Sequence, residues 1–141
     1  MSFQAAREQF RTVLDSIGFN EWKDGFNTED IPSSLIDGAY HLTSYSASAV
    51  SHNHTDLSVE QRIQVTVWRK GYKDFASGID ALNQDADLIF GTLLAPSNRL
   101  TPALKSIKFV SMTIEPLAVS NDNSAKLTLD FDCLVYFNLG G

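Results

Sequence analysis

The chain has 141 residues, 43% of them hydrophobic and 20% charged, with a formal net charge of -6. A chain of this length makes one domain and buries roughly 68% of the surface its unfolded form exposes, enough for a core without staples. The negative balance argues against a general nucleic-acid binder, which would carry a basic stripe, but not against a protein that DNA passes without sticking.

Phe3, Ala6, Phe10, Val13, Leu14 and Ile17 recur at spacings of three and four. This stripe predicts a first helix, capped by Ser2 and ended at Gly18 by the usual left-handed stop. Asn20 to Asn27 reads as a connector that Trp22 and Phe26 pin to the core. Pro32 opens a short segment reaching Leu35, and strand one follows from about Ile36 to Tyr45. The stretch from Ser44 to Asp56 is dominated by small polar residues and reads as a long hairpin loop. Loops of that length in a compact domain are usually functional or disordered.

Strand two spans about Leu57 to Arg69. Val59, Ile63, Val65 and Val67 face one way, and Glu60, Arg62, Gln64, Thr66 and Trp68 the other. A second helix is expected from about Asp74 to Leu94, with Phe75, Ile79, Leu82, Ala86, Ile89, Phe90 and Leu93 on its apolar face. Asp80, Asp85 and Asp87 make its outer side acidic. Pro96 and Pro102 bracket a connector. Strand three, about Ser106 to Ile114, carries Val110, Met112 and Ile114 on one side and Ile107 and Phe109 on the other. Ser120 to Ser124 forms a turn rich in side chains that mimic backbone hydrogen bonds. Strand four has the clearest pattern in the chain. Leu127, Leu129, Phe131, Cys133, Val135, Phe137 and Leu139 alternate with Thr128, Asp130, Asp132, Leu134, Tyr136 and Asn138. The expected fold is α+β in the order α-β-β-α-β-β: a four-stranded antiparallel sheet with both helices on one face.

Cys133 is the only cysteine and falls on the apolar face of strand four, as a buried, inert thiol would. Met1 to Arg11 lacks a signal-peptide core, and no apolar stretch approaches a membrane span, so a reducing cytoplasm is expected.

Three constellations invite a chemical reading, each with a plainer one beside it. His52, His54 and Asp56 are metal-ligand types, but on a serine-rich loop they read equally as a solvated tip; His41 could join them. Asp130 and Asp132 share one strand face, roughly 6.5–7 Å apart by strand rise. They could hold Mg²⁺ with Glu115 as third acid and Lys108 or Lys126 as amine, in a small metal-dependent nuclease. They could instead meet basic residues of the neighbouring strand, or line a subunit interface. Trp68, Arg69, Lys70, Tyr72 and Lys73 form a basic-aromatic knot that could stack bases, or else mark a strand end or protein contact. The sequence carries no phosphate-binding glycine motif, no GxSxG elbow and no cysteine-histidine signature, and no catalytic, cofactor-binding or metal residue is assigned.

The arrangement resembles the tail terminator proteins of long-tailed bacteriophages. The likeness rests on the opening amphipathic helix, the Asp30-Ile31-Pro32 step, the long strand Arg62-Ile63-Gln64-Val65-Thr66-Val67-Trp68 followed by a helix, and the closing Leu134-Val135-Tyr136-Phe137. It implies a virion structural protein without enzymatic activity or cofactor, assembled in the host cytoplasm into a homohexameric ring. One side of the ring would sit on the tail-tube protein and stop its polymerisation, and the other would receive the head-side connector. Genome DNA would pass through the lumen without specific binding. The stretch from Ser44 to Asp56 departs from that pattern. Under this resemblance Asp130 and Asp132, Trp68, Arg69, Lys70 and Lys73, and His52, His54 and Asp56 are candidate contact patches between subunits or with partners. Another connector of the same phage neck, a nuclease, or a cellular binding module remain the alternatives.

Overall fold

A computed structural model describes residues 3–22, 37–72, 75–95, 104–116 and 123–140. The chain is α+β, with two helices and one mixed sheet. Its elements are α1 (Phe3–Ile17), β1 (Asn20–Glu21), β2 (Ala39–His52), β3 (Asp56–Tyr72), α2 (Phe75–Leu93), β4 (Leu104–Pro116) and β5 (Asn123–Asn138). The sheet order is β1-β2-β3-β5-β4. The four long strands are antiparallel to one another in that order, and the β3–β5 pairing joins the two hairpins at the centre. The two-residue β1 is an addition to the expected sheet: part of the presumed connector runs parallel to the start of β2, with Asn20 opposite Ala39.

The helical stripe behaves as its spacing predicts. Ala6, Phe10, Val13 and Leu14 are buried, and the helix closes in a Schellman turn. Phe19 N–H donates to Leu14 C=O and Gly18 N–H to Asp15 C=O, with Gly18 at φ 111°. The two buried residues flanking this turn, Leu14 and Phe19, both belong to the main core. Leu82, Ala86, Ile89 and Leu93 of α2 pack into that same core, so both helices cover one sheet face. The face they cover is built from Ile63, Val65 and Val67 of β3 and from Ala125, Leu127, Leu129, Phe131, Cys133 and Val135 of β5. Phe10 and Phe131 sit ring to ring, 5.5 Å between centroids.

Four expectations need correction. The Ser44–Asp56 stretch is not a loop: β2 continues to His52, and only Asn53, His54 and Thr55 turn the chain. Small polar side chains suit no particular face, so the pairing is set by the long β3 beside it. Bulges between Ser44 and Ser46 and between Ala49 and Ser51 absorb the poor alternation. Asn53 Oδ1 closes the turn by accepting from the backbone N–H groups of Thr55 and Asp56, at 2.9 and 2.8 Å. In β4, a bulge between Phe109 and Ser111 resets the alternation. Ile107, Phe109, Met112 and Ile114 thereby pair opposite Cys133, Phe131, Leu129 and Leu127, all buried, and come to lie on the helix side together. Asp85 is not on an acidic outer face but buried, held by Arg69. Finally, the buried face of β5 ends at Val135, with Phe137 partly buried and Leu139 exposed. The expectations for Ser2, Phe26, the Asp30-Ile31-Pro32 step, the segment to Leu35, Asp74, Pro96, Pro102 and Ser120 to Asp122 fall outside the described residues.

Candidate functional site

One sheet face is covered by the helices and the other is largely open, and among the described residues neither the outer side of β2 beyond Tyr40 nor that of β4 has a strand neighbour. The open face holds Glu60, Arg62 and Gln64 of β3, Lys126, Asp130 and Asp132 of β5, and Lys108 and Glu115 of β4. Asp56, at the start of β3, shares it, so the described residues place five carboxylates there against three cations. Asp130 and Asp132 share this face as expected, and each is tied to neighbouring strands. Arg62 Nε donates to Asp132 Oδ1 at 2.5 Å. Gln64 Nε2 and Ser111 Oγ donate to the two oxygens of Asp130, at 3.1 and 3.0 Å. Glu115 pairs with Lys126 at 3.3 Å. The acids thus meet partners across the strands, and no group of three potential metal ligands comes together among the described residues.

The basic-aromatic knot is divided by the strand's alternation and by burial. Trp68 is only 2% exposed, packed with Ala39 and Trp22, and has no face to offer a base or a partner. Arg69 turns inward. Its Nε and Nη2 clamp Asp85 at 2.7 and 2.8 Å, and its guanidinium lies 5.3 Å from the Phe19 ring centre. Lys73 and the Lys70 side chain fall outside what is described. Trp68 and Arg69 therefore do not contribute to the surface patch that their adjacency in sequence suggests.

His52 and His54 stand exposed at the tip of the β2–β3 arm. Asp56 leads off β3 and accepts a hydrogen bond from the Tyr136 hydroxyl, which pushes the Tyr136 phenol above its ordinary value. His41 lies at the other end of β2, its Nδ1 2.8 Å from Trp22 O. At the α1 end of the sheet, Tyr40 donates to Asp15 at 2.7 Å. Burial first, and then that hydrogen bond, raise its pKa far above the usual phenol value. Burial likewise pushes the Cys133 thiol up to about 12, as suits an inert core cysteine.

The edges are where the molecule is unfinished. Among the described residues, β2 has an outer neighbour only at Ala39 and Tyr40, and Arg7 Nη2 donates to the carbonyl of Leu42 just beyond, at 3.3 Å. From there to His52 the strand has no outer strand neighbour among the described residues. At the opposite end of the sheet β4 pairs with β5 alone among the described residues. Its exposed apolar side chains are grouped: Phe109 is 46% exposed, Val110 42% and Met112 40%. A pocket of about 390 Å³ opens beside the β2 edge, lined by Phe3, Gln4 and Arg7 of α1, by Ser44, Ser46 and Ala47 of β2, and by Gln61 of β3. Gln61 is 1% exposed on the apolar face of β3, where a hydrocarbon would be expected. Its Nε2 donates to Ser44 Oγ at 2.5 Å, while its Oε1 and the Nε of Arg7 are buried without a partner.

Sequence reasoning missed both the β4 patch and this pocket. The patch is created by the bulge at Val110, which no periodicity announces. The pocket had one visible signal, the glutamine standing between Val59 and Ile63 on an otherwise apolar face. Compared with known protein families and with curated proteins, the chain matches none.

Proposed function

We propose that this chain is a ring-forming structural protein of the phage tail terminator kind, acting by assembly and not by catalysis. The observation that carries the reading is that two edges of one sheet, the outer side of β2 beyond Tyr40 and that of β4, have no strand neighbour among the described residues. β2 and β4 run in opposite directions, because each step from β2 to β3, β5 and β4 reverses the chain. A second copy related by rotation about an axis along the strands would therefore bring its β4 antiparallel to β2. Such head-to-tail contacts use two different patches per subunit and close into a ring when the rotation divides the circle. Closure also removes the exposed edges, which otherwise invite uncontrolled pairing.

In that ring the helices would lie on one side of the continuous sheet and the open polar face on the other. A lumen lined by the open face would present more acids than cations to DNA and hold it weakly. The ring would contain six copies, with the tail-tube protein on one side and the head-side connector on the other, as the family resemblance suggests. His52, His54 and Asp56, at the arm end, would be placed to meet one of those partners. Asp130 and Asp132 would serve the lumen wall, since each is already occupied within its own subunit.

The test is to add the purified chain to polymerising tail-tube protein and measure tube lengths by electron microscopy. Arrested tubes with a ring at one end are expected. Tubes that lengthen unchanged, with bare ends, would overturn the proposal.

A further inference from the structure

We infer that Phe109 of one copy is the plug, and the pocket beside Arg7 and Gln61 the socket, that lock neighbouring subunits. The inference rests on the ring reading above and goes beyond it by naming the contact. The cross-strand register supplies the argument. Ser44 stands opposite Ile63, Ile63 opposite Phe131, and Phe131 opposite Phe109, so Phe109 and Ser44 share one row across the sheet. A rotation along the strand axis keeps rows level, apart from the stagger that closing a barrel requires. That stagger comes in two-residue steps, because a one-residue slip would turn every side chain to the wrong face. Without stagger, Phe109 of the neighbour arrives on the helix side of β2 at Ser44, and one step of stagger toward the arm tip brings it to Ala47. Both residues line the pocket.

Shape and charge agree with that occupant. The β2 residues described as lining the pocket, Ser44, Ser46 and Ala47, are small, and the neighbour's edge offers a large ring standing half out of its own subunit. Arg7 also lines the pocket, and the face of an aromatic ring suits its guanidinium. On the open face, Lys108 has no carboxylate partner among the described residues, and Glu60 no cation. The one-step stagger that puts Phe109 against Ala47 also puts Lys108 beside Ser48, the cross-strand partner of Glu60. One displacement therefore satisfies both faces.

The test uses two variants that spoil opposite halves of the contact. Phe109→Ser removes the plug and leaves the socket. Ala47→Phe fills the socket and leaves the plug; Ala47 is exposed and should accept the ring without disturbing the core. Both are checked for wild-type-like circular dichroism and thermal unfolding, then measured by size-exclusion chromatography with light scattering. Each alone should need at least about tenfold more protein than wild type for half-assembly, as expected when one partner of an interface hot spot is lost. Mixed, they should form a 1:1 dimer and stop, because one good plug meets one good socket and the remaining two are spoiled. Folded variants that both form wild-type rings would overturn the plug and socket while leaving the ring reading standing. So would two monomeric variants whose mixture stays monomeric. Wild type that never associates, with or without tube protein, would overturn the ring reading and the plug with it.

Discussion

Arg69 offers the sharpest check on how the sheet is tied to α2. In sequence it belongs to a basic cluster; in the fold it is an internal clamp. Its guanidinium makes two hydrogen bonds of 2.7 and 2.8 Å to Asp85, whose residue is only 7% exposed, and approaches Asp37 at 3.7 Å. Truncation to Leu leaves the Asp85 carboxylate buried without its cation. Removing one partner of a buried pair costs about 3–5 kcal/mol, far more than the pair contributes relative to two hydrocarbons. For a domain of this length a loss of about 3 kcal/mol lowers Tm by roughly 10 °C. With a urea m-value of about 2 kcal/mol/M the midpoint moves down by about 1.5 M. The double variant Arg69→Leu/Asp85→Leu should recover most of that loss, because no charge is stranded. Urea unfolding followed by tryptophan fluorescence measures wild type, Arg69→Leu, Asp85→Leu and the double variant. The reasoning is refuted if Arg69→Leu costs under about 1 kcal/mol, the level of an exposed pair. A double variant that loses the sum of the two single ones would refute it equally.

Three further outcomes are expected. The Cys133 thiol has a raised folded-state pKa, about 12 against an ordinary 9.0, so its contribution is fully present below about pH 9 and fades as pH climbs toward 12. Cys133→Ala should flatten the loss of stability in that window, and the native thiol should resist a disulfide reagent at pH 8 until urea unfolds the chain; prompt reaction would contradict its burial. Gly18 sits at φ 111° with open space around its α-carbon, so Gly18→Ala should cost about 1 kcal/mol through backbone strain alone, and a neutral result in a thermal melt would count against the Schellman turn. Gln61→Met replaces a buried amide whose Oε1 lacks a partner and should leave the monomer equal or about 1 kcal/mol more stable in urea; a clear destabilisation would mean that the amide is satisfied in the monomer.

What the sequence disclosed and what it hid divide along physical lines. β5 was legible because a central strand covered by two helices must alternate, and Ala125 to Val135 obey that rule in the fold. The stripes of α1 and α2 were legible for the same reason at a different period. The distal half of β2 was not. Ser44 to Ser51 carry little apolar signal, and their extended form comes from pairing with β3, a partner the local sequence does not contain. The bulge at Val110 was hidden because one extra residue inverts the alternation after it, and it is this inversion that sets Met112 on the helix side with Phe109. Side-chain pairing hid the rest. Nothing local says that Arg69 reaches Asp85 sixteen residues on, or that Asp132 finds Arg62 seventy residues back. Of the charges expected at an interface, Asp130, Asp132 and Arg69 are engaged within the chain, while the exposed apolar side chains of β4 lie at the sheet's edge.

The most direct measurement of the central claim is the mass and shape of the purified protein across a range of concentrations, by mass photometry and negative-stain electron microscopy. The account predicts a closed ring of six with an open centre, in which edge strands β2 and β4 no longer exchange amide hydrogens freely. Monomers at every concentration, or open-ended filaments whose edges never close, even with tube protein present as a template, would contradict it.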